Sequence, residues 1–142
     1  MRLHKSNHSV YRTQYHLVWI PRYRRNIFVK GIKQFAEKVL SNIPNIDADI
    51  EVMKVNVQVD HVHMVIIIPP RISVADAVKF IKTHSSHLIK AKFPFLNKVY
   101  RGQQGIWSRG YCVSTIGYKE KEILRYVEYQ GKDDSGQLEL TL

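Results

Sequence analysis

Residues 59–68 read VDHVHMVIII, a stretch with the composition of a β-strand. β-branched and apolar residues predominate in it, and two prolines follow at a point where a strand ladder cannot continue. Side chains alternate between the two faces of a strand, so His61 and His63 point the same way. Two imidazoles on one face, about 6–7 Å apart at Cα, can bind one metal ion. A bare His-x-His is more often a pair of ordinary sheet histidines, so this interpretation needs support elsewhere.

The segments around this stretch alternate between strand and helix patterns. Strands are predicted over 11–20, 50–57, 61–68 and 111–116. Helices are predicted over 32–43, between the capping box at 73–76 and Pro94, and over 119–130. Gly131 is predicted to end the last helix in the C′ position.

This order of elements predicts an α+β fold with a ferredoxin-like or RRM-like split βαβ antiparallel sheet, two helices on one face and an additional C-terminal helix. In that topology the strand with the two histidines is central, and the face without helices can carry a site. The length fits one domain over residues 1–142, with 131–142 as a polar C-terminal tail.

The charge of the chain predicts an anionic partner. The formal net charge is +10, and the last twelve residues hold one Lys against three acidic residues, so the surplus lies in residues 1–130. Eight basic residues and no acidic one lie between Ala77 and Lys119. This one-signed run favours a phosphate-binding surface over an ordinary solvated one. The basic cluster around Tyr23 is suited to phosphate contacts and base stacking, but it is equally consistent with a solvated loop. The expected DNA contacts are Arg22, Tyr23, Arg24, Arg25, Lys79, Lys82, Lys90 and Arg109.

Other function classes are disfavoured by simple absences in the sequence. The single cysteine, Cys112, excludes an internal disulfide framework and a cysteine-based zinc site. The first residues lack the apolar core of a signal peptide, and no run has the length of a membrane span. We therefore expect a cytoplasmic protein without membrane association.

The last predicted helix carries two polar residues that share a face. Tyr126 and Gln130 are four residues apart, offset by only about 40° around a helix. Tyr129 is a rival, but it lies about 100° from Gln130. By themselves, Tyr126 and Gln130 are best interpreted as a plain polar helix face.

Four segments, taken together, carry a family resemblance. They are YHLVWIPRYRR at 15–25, VDHVH at 59–63, IWSRGY at 106–111 with TIG at 115–117, and LRYVEYQ at 124–130. With these motifs in this order, the chain resembles the single-tyrosine HUH transposases, the TnpA proteins of small insertion sequences that move as single-stranded DNA. The resemblance implies that His61 and His63 are metal ligands, Gln130 is the third protein ligand and Tyr126 is the nucleophile. Val127 and Tyr129 stand where the family more often has Ile and Asn.

The resemblance also implies a reaction and its partners. Tyr126 would attack a phosphate of single-stranded DNA with hairpin ends, giving a 5′-phosphotyrosine link and a free 3′-hydroxyl. A divalent metal would polarise the phosphate, and two imidazole ligands make Mn²⁺ at least as suitable as Mg²⁺. A homodimer is implied as well. Asp60 is either a turn residue or an acceptor that orients a histidine.

Two alternatives to this function stay open. One is a non-catalytic RRM-like module that binds single-stranded nucleic acid, although the strand that carries the histidines lacks stacking aromatics. The other is a domesticated relative that cuts chromosomal repeat hairpins.

Overall fold

The computed structural model describes residues 3–5, 10–29, 31–43, 49–101, 105–115 and 117–134. The strands are β1 (His4–Lys5), β2 (Val10–Tyr11), β3 (Gln14–Trp19), β4 (Glu51–Val57), β5 (Val62–Ile67) and β6 (Cys112–Ser114). The helices are a 3₁₀ turn (Arg22–Arg24), α1 (Ile32–Ser41), α2 (Val74–Lys92), α3 (Leu96–Val99) and α4 (Glu120–Asp134). None of the described helices is both long and apolar enough to cross a membrane.

The main sheet has the predicted ferredoxin-like topology. Its strand order is β4-β5-β3-β6, and each neighbouring pair is antiparallel. The strand that carries His63 is therefore central, between β4 and β3, as the sequence predicts. β1 and β2 form a separate two-stranded sheet, so the strand predicted over 11–20 is divided into two shorter ones.

The core lies between one face of this sheet and the helices α1 and α2. Leu17, Trp19, Met64 and Ile66 are buried there in one cluster with the apolar stripes of both helices. The predicted cap of α2 is present, since Ser73 Oγ accepts a hydrogen bond from the Asp76 backbone N–H at 3.0 Å. Side chains at alternate positions, among them His63, are left for the opposite face.

The end of α4 corrects one prediction. The helix continues through Gly131 to Asp134, so the assignment of Gly131 to the C′ position is wrong. A Cβ atom at Gly131 would lie 3.0 Å from Arg24 Cδ, so the glycine lets the Arg24 stem approach the helix closely. Of the predicted polar tail at 131–142, residues 131–134 are helical, and 135–142 lie outside the described residues.

Candidate active site

His61 directly precedes β5 and is held by the carboxylate of its neighbour. His61 Nδ1 lies 3.1 Å from Asp60 Oδ1, and Arg24 Nε donates to Asp60 Oδ2 at 3.1 Å. Burial raises the pKa of Asp60, but the hydrogen bonds from His61 and Arg24 outweigh it and leave the pKa below its ordinary value. Asp60 is therefore an anion that accepts the Nδ1 proton, which leaves His61 Nε2 as the nitrogen that can bind a metal.

His63 offers a second nitrogen, buried on the face of the sheet away from α1 and α2. Its Nε2 has no hydrogen-bond partner in the part of the chain that the structure describes. Burial lowers the pKa of His63, and the nearby His16, Lys54 and His61 lower it further. The ring is thus a neutral imidazole at neutral pH. A buried, partnerless ring nitrogen fits a metal ligand, because such polar groups are normally satisfied.

His16 and Tyr118 complete the surroundings of His63. The His16 ring centroid is 5.7 Å from that of His63, and the Tyr118 ring is 5.9 Å from His63. Tyr118 Oη donates to the His16 carbonyl oxygen at 3.0 Å. The sequence pattern assigns His16 no role beyond that of a strand residue, so its proximity to His63 is a finding of the structure. The signal that could have found it is the register of β3 on β5, which pairs Val18 with His63.

The pKa of Tyr118 is raised strongly, first by burial and then by its hydrogen bond with Cys112. The phenol of Tyr126 and the carboxylate of Glu122 raise this pKa further, which shows that Tyr126 lies close to Tyr118. The phenol of Tyr118 is consequently neutral at every physiological pH. Through Tyr118, the surroundings of Tyr126 adjoin those of His63.

The two candidate tyrosines, Tyr126 and Tyr129, lie on different sides of α4. Gln130 is only 5% exposed and Val127 only 1%, whereas Tyr129 is 54% exposed. Tyr126 is half-buried, on the same side of the helix as Gln130. The geometry thus favours Tyr126 over Tyr129 as the residue that faces the site.

The amide of Gln130 lies between two residues of the segment that precedes β6. Gln130 Nε2 donates to Ser108 Oγ at 2.7 Å. On the other side, a Cβ atom at Gly110 would lie 2.6 Å from Gln130 Oε1, so only glycine leaves room for the amide. No three His, Cys, Asp or Glu side chains group as a metal site among the described residues. The third protein ligand that the resemblance implies beside His61 and His63 is this glutamine, a residue type outside those four.

Most of the predicted DNA contacts line one cavity beside α2. Its volume is about 730 Å³, and the predicted contacts that line it are Arg22, Lys79, Lys82, Lys90 and Arg109. Lys82 differs from the others, because its Nζ donates to the carbonyl oxygens of Ser108 and Gly110. Of the remaining three predicted contacts, Arg24 is ion-paired with Asp60 and Tyr23 lines a second pocket together with Asp60. The Arg25 guanidinium lies 5.7 Å from the Tyr23 ring centroid.

Comparison with known proteins gives consistent matches over nearly the whole chain. The family model "Transposase IS200 like" matches residues 9–130. The transposase of insertion sequence IS200 from Salmonella typhimurium is 29% identical over 127 residues, which cover 89% of this chain and 82% of the relative. The ISDra2 transposase TnpA from Deinococcus radiodurans is 28% identical over 131 residues, 92% of each chain.

Two solved structures agree with these sequence matches. A crystal structure from Deinococcus radiodurans, described as a transposase, superposes with a TM-score of 0.78 at 28% identity, over 89% of this chain and 97% of that one. A REP-associated tyrosine transposase bound to a REP hairpin gives a TM-score of 0.51 at 16% identity, over 89% of this chain and 70% of that one. At that identity the second likeness concerns the fold alone.

Proposed function

This chain belongs to the IS200-like transposase family, and we propose that it cuts and rejoins single-stranded DNA through Tyr126 at a metal site formed by His61, His63 and Gln130. The observation that carries the proposal is the pair of imidazoles. Asp60 fixes one ring through Nδ1, and the other ring has a buried Nε2 without a partner among the described residues. Both rings are thereby prepared to bind one divalent cation.

The donor set fits a divalent ion with open positions for phosphate. Two imidazole nitrogens and one amide oxygen suit Mn²⁺ or Mg²⁺. The bound ion would polarise the scissile phosphate and offset its developing charge. Asp60 keeps the Nδ1 proton of His61 in place and so holds the ring orientation on which a ligand depends.

Tyr126 supplies the nucleophile in this proposal. A bond forms between its phenol oxygen and phosphorus, the phosphorus–O3′ bond breaks, the phenol proton is released, and the departing 3′-oxygen takes up a proton. The phosphate stays linked to the tyrosine, so a second 3′-hydroxyl can reverse the step and join strands.

The basic cavity beside α2 is the proposed surface for hairpin DNA. Lys79, Lys90 and Arg109 line it, and no acidic side chain lies between Ala77 and Lys119 to oppose phosphate. The REP-associated relative is described as bound to a hairpin, which supports the same class of partner for this chain. The proposal includes a homodimer, which sedimentation of the purified protein would test.

The test of catalysis is formation of a covalent adduct. A single-stranded hairpin oligonucleotide is incubated with the protein and Mn²⁺ or Mg²⁺, and the products are separated on a denaturing gel. We expect an adduct that disappears with EDTA, in Tyr126→Phe and in His61→Ala. Tyr129→Phe is the matched control, since it removes an exposed phenol from the same helix, and it should retain the adduct.

Each alternative outcome has a definite meaning. An adduct that persists in Tyr126→Phe and vanishes in Tyr129→Phe would transfer the nucleophile to Tyr129. Normal cleavage by His61→Ala would refute the metal site. Hairpin binding without an adduct under either ion would favour the non-catalytic binding module.

A further inference from the structure

We propose that Lys82 is a positioning residue for Gln130 and not a phosphate contact. The inference rests on the proposed role of Gln130 as a metal ligand. Lys82 belongs to the one-signed basic stretch and lines the basic cavity, so charge alone would assign it to DNA. Its ammonium group nevertheless donates to backbone oxygens, those of Ser108 at 2.8 Å and Gly110 at 2.7 Å.

Two of the residues that Lys82 holds also contact Gln130. Ser108 Oγ accepts from Gln130 Nε2 at 2.7 Å, and Gly110 packs so closely against the amide that an added Cβ would lie 2.6 Å from Oε1. The amide is thus bonded to Ser108 through Nε2 and packs against Gly110 on its Oε1 side. Through these two backbone oxygens, Lys82 thus fixes Ser108 and Gly110, the residues on either side of the Gln130 amide.

Two other residues of α2 anchor the same segment just before residues 108–110. Ser85 Oγ accepts from Trp107 Nε1 at 3.0 Å, and Ser86 Oγ accepts from the Ile106 N–H at 3.0 Å. Those two bonds fix residues 106 and 107 but do not reach 108–110. Lys82 is the α2 residue that extends the anchoring to the point where Gln130 is held, because a lysine offers three donors on a long stem.

A lysine with this geometry is also unsuited to bind phosphate. The ammonium has three N–H donors, and three backbone oxygens accept from it: those of Ser108, Gly110 and, at 3.4 Å, Arg109. A DNA phosphate would have to displace one of these oxygens. Lys79, three residues earlier, lines the same cavity and provides a matched comparison. The two lysines should therefore respond differently to the same substitution.

The experiment measures Mn²⁺ binding to the purified full chain by calorimetry without DNA, and hairpin binding separately in EDTA. Lys82→Met should weaken Mn²⁺ binding about tenfold, as loss of an outer-shell partner commonly does, and leave hairpin affinity unchanged. Lys79→Met should weaken hairpin binding and leave Mn²⁺ affinity unchanged. Ser108→Ala should weaken Mn²⁺ binding by a similar factor. The double variant Lys82→Met/Ser108→Ala should bind Mn²⁺ no more weakly than the weaker-binding single variant, because both substitutions act through the same contact with Gln130.

The outcomes separate this inference from the proposed function. If Gln130→Ala weakens Mn²⁺ binding and Lys82→Met does not, the positioning role is refuted and the metal site stands. If Gln130→Ala has no effect, the third ligand of the proposed function is refuted too. Weaker hairpin binding in EDTA by Lys82→Met, with unchanged Mn²⁺ affinity, would make Lys82 a phosphate contact. Should Lys82→Met fail to fold, Lys82→Gln, which keeps a donor and part of the stem, carries the same comparison.

Discussion

Gly110→Ala tests the close contact between Gly110 and the Gln130 amide by adding one methyl group. The new Cβ would lie 2.6 Å from Gln130 Oε1, 3.1 Å from its Cδ and 3.3 Å from its Nε2. Gly110 does not have the positive φ that disfavours alanine, so the backbone bears no added strain. Ordinary contact begins at 3.4 Å, so the amide oxygen has to retreat by about 0.8 Å. The three atoms nearest to the added methyl group all belong to Gln130, so the substitution acts first on this side chain.

The size of the effect follows from this displacement. A retreat on this scale breaks or lengthens the 2.7 Å bond from Gln130 to Ser108 and leaves a buried amide poorly satisfied. That loss lowers the free energy of unfolding by about 1–3 kcal/mol, which lowers Tm by roughly 3–10 °C in a domain of this size. Adduct formation falls further, by as much as about 100-fold, because near-ångström errors in a catalytic group are amplified in the rate.

The assays are calorimetric Mn²⁺ binding, thermal denaturation and the rate of covalent adduct formation with a hairpin oligonucleotide. Gly117→Ala is the matched control, since among the described residues its Cβ would meet the His16 ring alone, at an ordinary 3.6 Å from Cε1 and 4.0 Å from Nε2. That variant should behave as the wild type. Wild-type Mn²⁺ affinity and adduct rate in Gly110→Ala would refute the claim that Gly110 positions Gln130.

Asp60 and Ser85 give the remaining predictions. Asp60→Asn should weaken Mn²⁺ binding about tenfold, because the anion that orients His61 is lost; wild-type affinity would contradict this. The pKa of Asp60 is lowered below 3.8 on folding. The ionised carboxylate therefore stabilises the folded state above that pH, and this stabilisation is lost as the pH falls through the pKa of Asp60 in the folded state. The Tm difference between wild type and Asp60→Asn should therefore shrink as pH is lowered below about 4, and a constant difference would contradict it. Ser85→Ala should lower the free energy of unfolding in urea by about 1–3 kcal/mol, because the buried Trp107 Nε1 loses its acceptor, whereas exposed Thr83→Ala on the same helix should change it little.

The parts of the site that follow from local patterns could be predicted from the sequence. Strand alternation places His61 and His63 on one face, and the split βαβ order makes their strand central. Helix phase alone favours Tyr126 over Tyr129, in agreement with the 54% exposure of Tyr129. Each of these conclusions needs only the spacing of residues within one element or the order of the elements.

The missed parts depend on contacts between elements. Gly131 looks like a helix end, and only its approach to Arg24 shows why a glycine lies inside α4. The proximity of His16 to His63 requires the register between β3 and β5. The role of Lys82 is hidden because its partners are carbonyl oxygens, which every residue type possesses. Charge counting could not separate it from Lys79.

The 3₁₀ turn after β3 connects the two halves of the candidate site. Tyr23 and Arg24 have φ values of 62° and 52°, a left-handed conformation unfavourable for residues with side chains. Such strain persists only where the surroundings impose it, and it is common at functional sites. Here it directs Arg24 to Asp60, which holds His61, and against Gly131, which adjoins Gln130 along α4. One arginine thus contacts the residues beside both proposed ligands, His61 and Gln130, which are 69 positions apart in the sequence.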